Sequence, residues 1–214
     1  MVVTPAPEGS AVPPPDPPPD AADLTVADLA ELGALFEAHG PRLVAIARRR
    51  LDDRLAAATD PEDVVSQAFL DARRKWPAYR AARRVGEFVW LYGLVADGLV
   101  AAWRAATRDR RDVLRNVPWP ERPSIDLGLR LMAAGPGPGT QAAANEAAEL
   151  MKRAIAALKD ADREVILLRA YDDLGFREIG ELLNVTENAA TVRYLRALQR
   201  LKAEWRARGG GSAL

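Results

Sequence analysis

Proline and glycine divide this chain of 214 residues into stretches that can fold and stretches that cannot. Eight of the 16 prolines lie in residues 1–23, and five lie in residues 116–144, where closely spaced glycines accompany them. Consecutive prolines fix φ and lack the amide hydrogen that helices and sheets require, so we predict a disordered N-terminal tail and a flexible linker. The folded units are then residues 24–115 and 145–208, with a flexible tail over residues 209–214.

Both folded stretches have the pattern of α-helices. They are rich in Ala, Leu and Arg, and their apolar residues recur at spacings of three and four. With 49% apolar residues, each stretch has enough material for a core of its own. The sequence therefore predicts an all-α protein of two small helical domains.

Composition excludes several classes of function. The chain has no cysteine, which excludes a thiol nucleophile and a cysteine-rich metal site, and with a single histidine, His39, a catalytic triad or a histidine-based metal site would be hard to assemble. No apolar run approaches the ~20 residues needed to cross a bilayer, and the N-terminus lacks the pattern of a signal peptide. We expect a cytoplasmic, non-catalytic protein with no cofactor, no metal and no membrane insertion.

Local signals place the helices of the first unit. Asp60 precedes Pro61, which is followed by two acids, as is typical of a helix N-terminus. We predict that this helix ends at Trp76-Pro77 and that a further apolar helix runs from Phe88 to Trp103.

The formal net charge of zero conceals basic patches. Residues 73–84 carry six bases and no acid, and residues 187–214 carry six bases against two acids. Patches of this kind are what contact with phosphates requires, whereas the zero total excludes a uniformly basic surface.

The segment FREIGELLNVTENAATVRYLRALQRL, residues 176–201, has the pattern of a helix-turn-helix. Gly180 allows a second helix to cross closely, because it has no side chain. Asn184 readily adopts the positive φ of a turn, and Thr186 is a helix N-cap. The alternative is an ordinary helical hairpin with a solvated basic face, which the small residue, turn and cap together disfavour.

The second helix of the motif presents polar and basic side chains opposite its apolar face. In a helix-turn-helix the N-terminal residues of this helix reach base edges, and arginines contact phosphates. The candidate DNA contacts are Thr186, Glu187, Asn188, Thr191, Arg193, Arg196 and Arg200.

The same segment, extended back to DREVILLRAY, resembles region four of bacterial RNA polymerase sigma factors. The blocks LFEAHGPRLVAIARRRL, DPEDVVSQAFLDARRKW and EFVWLYGLVADGLVAAWRAATRDRRD resemble region two of the extracytoplasmic-function (ECF) sigma factors, in the family's order. The resemblance covers about residues 24–115 and 145–206. It implies a sigma factor that binds the polymerase core and directs transcription initiation, with region four on the minus-thirty-five promoter element and the polymerase flap.

The resemblance also implies a binding site for the clamp of the polymerase. DPEDVVSQAF resembles the family's clamp-binding helix, whose polar face here consists of Asp60, Glu62, Asp63, Ser66 and Gln67. Stabilisation of the helix N-terminus is an additional role for the acids among them.

The third block resembles the helices that melt the promoter and bind its minus-ten element. Aromatic and arginine side chains can hold exposed bases and the backbone. The candidates are Tyr92, Trp103, Arg104, Arg108, Arg110 and Arg111. Trp90 is interpreted as a core residue, and Asp97 stands with Ala96 where the family commonly has an Arg-Asn pair.

The partners expected from this resemblance are promoter DNA, the polymerase core and, as a further regulator, an anti-sigma factor. The free protein should be a monomer. The alternative is a homodimeric helix-turn-helix regulator that binds an operator without polymerase. A helical enzyme is a third class, but the sequence offers no catalytic cluster for it.

Overall fold

The structure, a computed structural model, describes residues 24–51, 59–107 and 141–210. Its elements are α1 (Val26–Arg50), α2 (Pro61–Ala82), α3 (Glu87–Thr107), α4 (Gln141–Ala156), α5 (Asp160–Ile166), a π-helical turn (Leu167–Tyr171), α6 (Phe176–Leu182) and α7 (Glu187–Ala207). The described residues contain no strand, and the prediction of an all-α protein is confirmed. The predicted tail over residues 1–23, most of the predicted linker, and Arg108, Arg110 and Arg111 lie outside the described residues.

Helix α1 begins with a reciprocal cap. The Thr25 hydroxyl accepts a hydrogen bond from the Asp28 amide at 3.1 Å, and the Asp28 carboxylate accepts one from the Thr25 amide at 3.0 Å. Two otherwise unpaired amides are thereby satisfied. The same carboxylate accepts a hydrogen bond from Trp76 Nε1 at 3.2 Å and contacts Arg80, so the start of α1 is fixed to α2.

Helix α2 begins as predicted and ends later than predicted. Asp60 is its N-cap and accepts a hydrogen bond from the Glu62 amide at 3.0 Å, with Pro61 in the first turn. The predicted end at Trp76-Pro77 is wrong, because the helix continues through Pro77 to Ala82. Trp76 is fully buried and Tyr79 nearly so, and the packing of these rings outweighs the hydrogen bond that an internal proline removes.

Helix α3 is the most apolar element of the first half. By length and composition its stretch Glu87–Ala105 reaches the limit for a membrane span, which corrects the expectation that no apolar run does so. Its residues Phe88, Leu91 and Val95 nevertheless belong to the protein core, packed with α1 and α2. Burial against these helices accounts for the apolar sequence, and the absence of membrane insertion stays a prediction.

Four helices form the second half. Helix α4 begins at Gln141, four residues before the predicted start of the second unit, in a run of alanines that favours helix. Met151, Ile155, Val165 and Leu201 are buried where α4 and α5 meet α7. Helices α6 and α7 form the predicted helix-turn-helix.

The two halves contact each other directly. Arg50 at the end of α1 pairs with the buried Asp172, and Arg42 of α1 pairs with Glu178 of α6 at 2.7 Å. The sequence predicted two helical units and gave no sign of this contact between them. The packing leaves Arg196 exposed, so the side of α7 that carries the candidate DNA contacts is not covered by the first half at this residue.

Candidate nucleic-acid interface

The turn between α6 and α7 has the geometry that its sequence predicted. A Cβ atom on Gly180 would lie 2.8 Å from the Val185 carbonyl oxygen and 3.2 Å from the Glu187 amide nitrogen, so only glycine fits there. Asn184 has a φ of 52°, and the Val185 amide donates to the Gly180 carbonyl at 2.9 Å. These contacts hold the start of α7 against α6.

Helix α7 is positioned by its cap and by its apolar side. The Thr186 hydroxyl accepts a hydrogen bond from the Ala189 amide at 3.2 Å, as its predicted N-cap role requires. Ala190, Ala197 and Leu201 are buried, and Tyr194 packs against Phe176 with ring centroids 5.6 Å apart. The opposite side of α7 is consequently directed away from the core.

Most of the candidate DNA contacts lie together on that outward side. Asn188 and Arg196 are exposed, Arg193 is half-buried, and all three line a groove of about 500 Å³ beside the start of α7. Thr186 and Arg200 line the same groove. Glu187 is exposed in the first turn of the helix. The surface thus combines helical amide groups, an amide side chain and arginines, which are the usual donors to DNA.

Besides Thr186, whose hydroxyl caps the helix, Arg200 and Thr191 also have internal partners. Arg200 donates from one guanidinium nitrogen to both oxygens of the Asp162 carboxylate, at 2.6 and 2.7 Å, although 56% of its side chain is exposed. The Thr191 hydroxyl donates to the Glu187 carbonyl at 3.0 Å, and Thr191 is half-buried. Arg200 is therefore oriented by Asp162, and the Thr191 hydroxyl donates within its own helix.

Two apolar residues on this surface were missed in the sequence. Val192 is 37% exposed and lines the groove, and Leu195 is 53% exposed on the next turn. Val192 lies four residues after Asn188 and four before Arg196, so all three share one side of the helix. That spacing could have identified Val192 from the sequence alone.

The candidate clamp-binding residues lie along one exposed side of α2. Asp60, Glu62, Asp63, Ser66 and Gln67 are all exposed. Glu62 pairs with Arg48 of α1 at 2.7 Å, and Gln67 lies 3.5 Å from the Asp71 carboxylate. Beneath them Phe69 packs edge-on against Phe36, with ring centroids 5.0 Å apart. Packing below and caps at its start thus hold this acidic face in place.

The candidate minus-ten residues differ in how far they are exposed. Tyr92 is 5% exposed, and its hydroxyl donates to Asp172 at 2.7 Å. Trp103 is half-buried and Arg104 is exposed near the end of α3. Trp90 stacks on Tyr79 at 4.1 Å between ring centroids, in keeping with its interpretation as a core residue. Asp97 is exposed and lies 3.9 Å from the Lys75 ammonium group, which offsets its charge.

Burial and the charge of Asp172 shift the pKa values of Tyr92 and Arg50. Burial raises the pKa of Tyr92, so its hydroxyl stays protonated and can donate to Asp172. Burial also disfavours the charged form of Arg50, but the hydrogen bond and charge of Asp172 outweigh it and raise the pKa of Arg50. This cluster is thus charged, paired and inaccessible to DNA in the observed arrangement.

Comparison with known proteins adds two findings. The family described as Sigma-70, region 4, matches residues 148–201, which include α6, the turn and most of α7. The ECF RNA polymerase sigma factors SigD of Mycobacterium tuberculosis (strain H37Rv) and Mycobacterium bovis are each 31% identical to this chain over 183 residues. The match covers 86% of this chain and 81% of each relative, so it includes both helical halves.

Proposed function

Because the chain belongs to the ECF RNA polymerase sigma factors, we propose that its two halves divide the work of promoter recognition. A sigma factor binds the polymerase core and directs it to promoters, and this is the function of the chain. Residues 24–115 would bind the clamp and the minus-ten element. Residues 145–208 would bind the minus-thirty-five element and the flap. The similarity to sigma factors over both halves does not favour a homodimeric regulator that acts without polymerase.

The observation that carries the minus-thirty-five assignment is the exposed side of α7. Asn188 and Arg196 project from the N-terminal half of this helix, where they can reach base edges in the major groove. Arg193 and Arg200 at its borders would contact phosphates. Asp162 holds the Arg200 guanidinium in one orientation before DNA binds. The Arg200 side chain therefore loses less conformational entropy on binding.

Val192 and Leu195 add apolar contacts to this surface. Exposure of the Val192 side chain to water is unfavourable because it is apolar. Against DNA it can pack on the C5-methyl group of thymine, which is the apolar feature of the major groove. We therefore expect one or more thymines in the minus-thirty-five element opposite Val192.

Docking on the clamp is assigned to the acidic side of α2. Asp63 and Ser66 are exposed, and among the described residues Asp63 has no ion pair that binding would have to break. Asp60 and Glu62 have structural roles as cap and ion-pair partner, so their substitution would affect folding as well as binding. Asp63 is consequently the better residue for a test.

The minus-ten assignment rests on α3 and its C-terminal end. Trp103 and Arg104 lie near that end, and Arg108, Arg110 and Arg111 follow in the sequence. A tryptophan face and several arginines can hold unstacked bases and the backbone next to them. Tyr92 would join this set only after its contact with Asp172 is broken.

The chain would act by recruitment, without a catalytic step of its own. We place it in the cytoplasm, where the polymerase works, and an anti-sigma factor is a further partner for either half. Linking two modest DNA contacts in one chain raises the effective concentration of the second once the first has formed.

Co-purification with the polymerase core tests the assignment of the clamp-binding face. Asp63→Arg should abolish binding to the core while the helix content stays unchanged. Asp97→Arg is the matched control, since it makes the same charge change at another exposed position of the first half and should leave core binding intact. Transcription in vitro from a genomic fragment library with the wild-type holoenzyme would then identify the promoter. Wild-type recovery of core enzyme by Asp63→Arg would contradict the assignment.

A further inference from the structure

The middle of α3 carries a carboxylate on its outward side. Asp97 has 77% of its side chain exposed, and its carboxylate lies 3.9 Å from the Lys75 ammonium group of α2. That distance is close to the limit of an ion pair, and the Lys75 side chain is also more than half exposed. Exposed pairs of this kind contribute little to stability, so either partner can exchange the other for a ligand.

Three further residues share this side of the helix with Asp97. Gly93 precedes it by four residues, and Val100 and Arg104 follow it by three and seven, which places all four on one face. No neighbouring atom of the described residues lies within 4 Å of the position that a Cβ atom on Gly93 would take. Val100 and Arg104 are both exposed. This face of α3 thus offers open backbone, a carboxylate, an apolar side chain and a cation in succession.

The carboxylate determines which part of a DNA strand can contact this face. An ionised carboxylate only accepts hydrogen bonds, and it repels the phosphate groups of the backbone. The donors on DNA are on the base edges, which are exposed where a strand is unpaired. Adenine, cytosine and guanine each present an exocyclic amino group there, whereas thymine has carbonyl oxygens in the corresponding positions. A carboxylate on this face therefore favours an amino-bearing base and disfavours thymine.

The other groups of this face suit the remaining parts of the same nucleotide. The open backbone at Gly93 leaves room for a base edge, and the apolar Val100 side chain, one turn after Asp97, can pack on a base. Lys75 can exchange Asp97 for the adjoining phosphate, which leaves the carboxylate to the base. The two charges of the pair thus have a partner both with and without DNA.

We propose that Asp97 is a specificity-determining residue, which accepts a hydrogen bond from the exocyclic amino group of one unpaired base in the minus-ten element and thereby selects against thymine at that position. This proposal rests on the proposed function, because it takes α3 as the minus-ten surface. Lys75 releases Asp97 and binds the phosphate next to the selected base. Val100 packs on the base itself.

Binding of the holoenzyme to fork DNA measures this selection. The promoter identified with the wild-type holoenzyme is prepared double-stranded at the minus-thirty-five element and single-stranded across the minus-ten element, in two fluorescently labelled series that differ in which strand is unpaired. The unpaired bases are replaced one at a time by the other three, so strand opening does not enter the comparison. At one position thymine should weaken binding of the wild type about tenfold relative to the best amino-bearing base, the loss expected for a hydrogen bond to a charged group.

Asp97→Asn tests the carboxylate with almost no change of shape. Its amide group can donate to the carbonyl oxygens of thymine, so this variant should bind the thymine fork more tightly than the wild type does, with a remaining preference of about twofold or less. Asp97→Ala should relax the preference at the same position only. Lys75→Gln should weaken binding to all forks alike and keep the preference, since Lys75 contacts phosphate. Glu87→Gln, which removes the other carboxylate of α3, is the matched control and should keep both affinity and preference.

Equal base preferences of the wild type and Asp97→Asn at every position of both series would overturn the proposal. A preference that Glu87→Gln relaxes as well would also do so, because the effect would then belong to the charge of α3 and not to Asp97. Wild-type holoenzyme that ignores every change in the minus-ten element would count against the minus-ten assignment of α3. Failure to form a holoenzyme would count against the proposed function itself, so the failures are distinguishable.

Discussion

The Arg200 guanidinium of α7 donates to both carboxylate oxygens of Asp162 in α5, at 2.6 and 2.7 Å. Asp162 is almost fully buried, with 6% of its side chain exposed, whereas more than half of the Arg200 side chain is exposed. One end of this pair is therefore part of the core and the other is part of the proposed DNA-binding surface. The pair links the stability of the second half to the orientation of a candidate phosphate contact.

Asp162→Ala should destabilise the protein by about 1–3 kcal/mol, because it removes a buried acceptor that joins α5 to α7. Asp160→Ala is the control: Asp160 lies in the same helical turn, carries the same charge and has 98% of its side chain exposed. We expect less than about 0.5 kcal/mol for the control. Urea unfolding followed by tryptophan fluorescence measures both values. Equal destabilisation by the two variants would show that the Arg200 pair contributes nothing specific.

Gly180→Ala should disrupt the turn of the helix-turn-helix. The added Cβ would lie 2.8 Å from the Val185 carbonyl oxygen, so the backbones of α6 and the turn must move apart. Gly33→Ala is the matched control within α1, where an added Cβ has no neighbour within 4 Å. The control should stabilise the protein by about 0.5–1 kcal/mol, since alanine favours helix over glycine. The midpoint of thermal unfolding, followed by circular dichroism, should therefore fall for Gly180→Ala and rise for Gly33→Ala. A midpoint that falls for Gly33→Ala and not for Gly180→Ala would contradict the prediction.

Local features of this fold could be read from the sequence, whereas the distant contacts could not. Asp60 and Thr186 indicate helix starts because each caps a backbone amide within three residues, and Asn184 indicates a turn because it readily adopts a positive φ. The predicted end of α2 at Trp76-Pro77 is wrong because the backbone hydrogen bond that Pro77 removes is outweighed by tertiary packing, which the local sequence does not show. The Asp172 carboxylate meets Arg50 across 122 residues, and no local pattern indicates such a partner.

Acid should weaken the attachment of α1 to α2 through Asp28. Hydrogen bonds from the Thr25 side chain and backbone, together with those from Trp76 and Arg80, lower the pKa of Asp28 to about 2. A depressed pKa means that the ionised carboxylate stabilises the fold fully above the unfolded pKa of about 3.9, and that this contribution is lost as the pH falls toward 2.

The test of Asp28 is the urea midpoint between pH 2 and pH 5. The wild-type midpoint should fall across that interval by more than the Asp28→Asn midpoint, which starts lower. Glu37→Gln, at an exposed position on the same helix, should follow the wild type. Parallel curves for wild type and Asp28→Asn would mean that another acid controls the acid sensitivity.

Val192 should read thymine methyl groups in the minus-thirty-five element. Val192→Ala should weaken binding of the holoenzyme to its promoter by about 0.5–1 kcal/mol, the value of a buried methyl-sized contact. Replacement of the contacted thymine by deoxyuridine removes the methyl group and should weaken the wild type to the same extent, but not Val192→Ala. Leu70→Ala, an exposed apolar residue on α2, should respond to deoxyuridine as the wild type does. An undiminished deoxyuridine effect in Val192→Ala, at every thymine tested, would contradict the contact.

Arg196 should contribute more to DNA binding than any neutral residue of α7. It is exposed on the groove and lies one turn from Val192, where it can reach either a base edge or a phosphate. Arg196→Ala should weaken promoter binding by about 1–3 kcal/mol if the contact is to a base, and should also relax specificity at that position. Loss of a phosphate contact would instead reduce the slope of log affinity against log salt concentration by about one, without changing specificity. Arg206→Ala, in the last turn of the same helix, is the control and should change neither quantity. Binding measured by fluorescence anisotropy at several salt concentrations separates these outcomes, and an unchanged affinity and slope for Arg196→Ala would remove α7's exposed side as the DNA-binding surface.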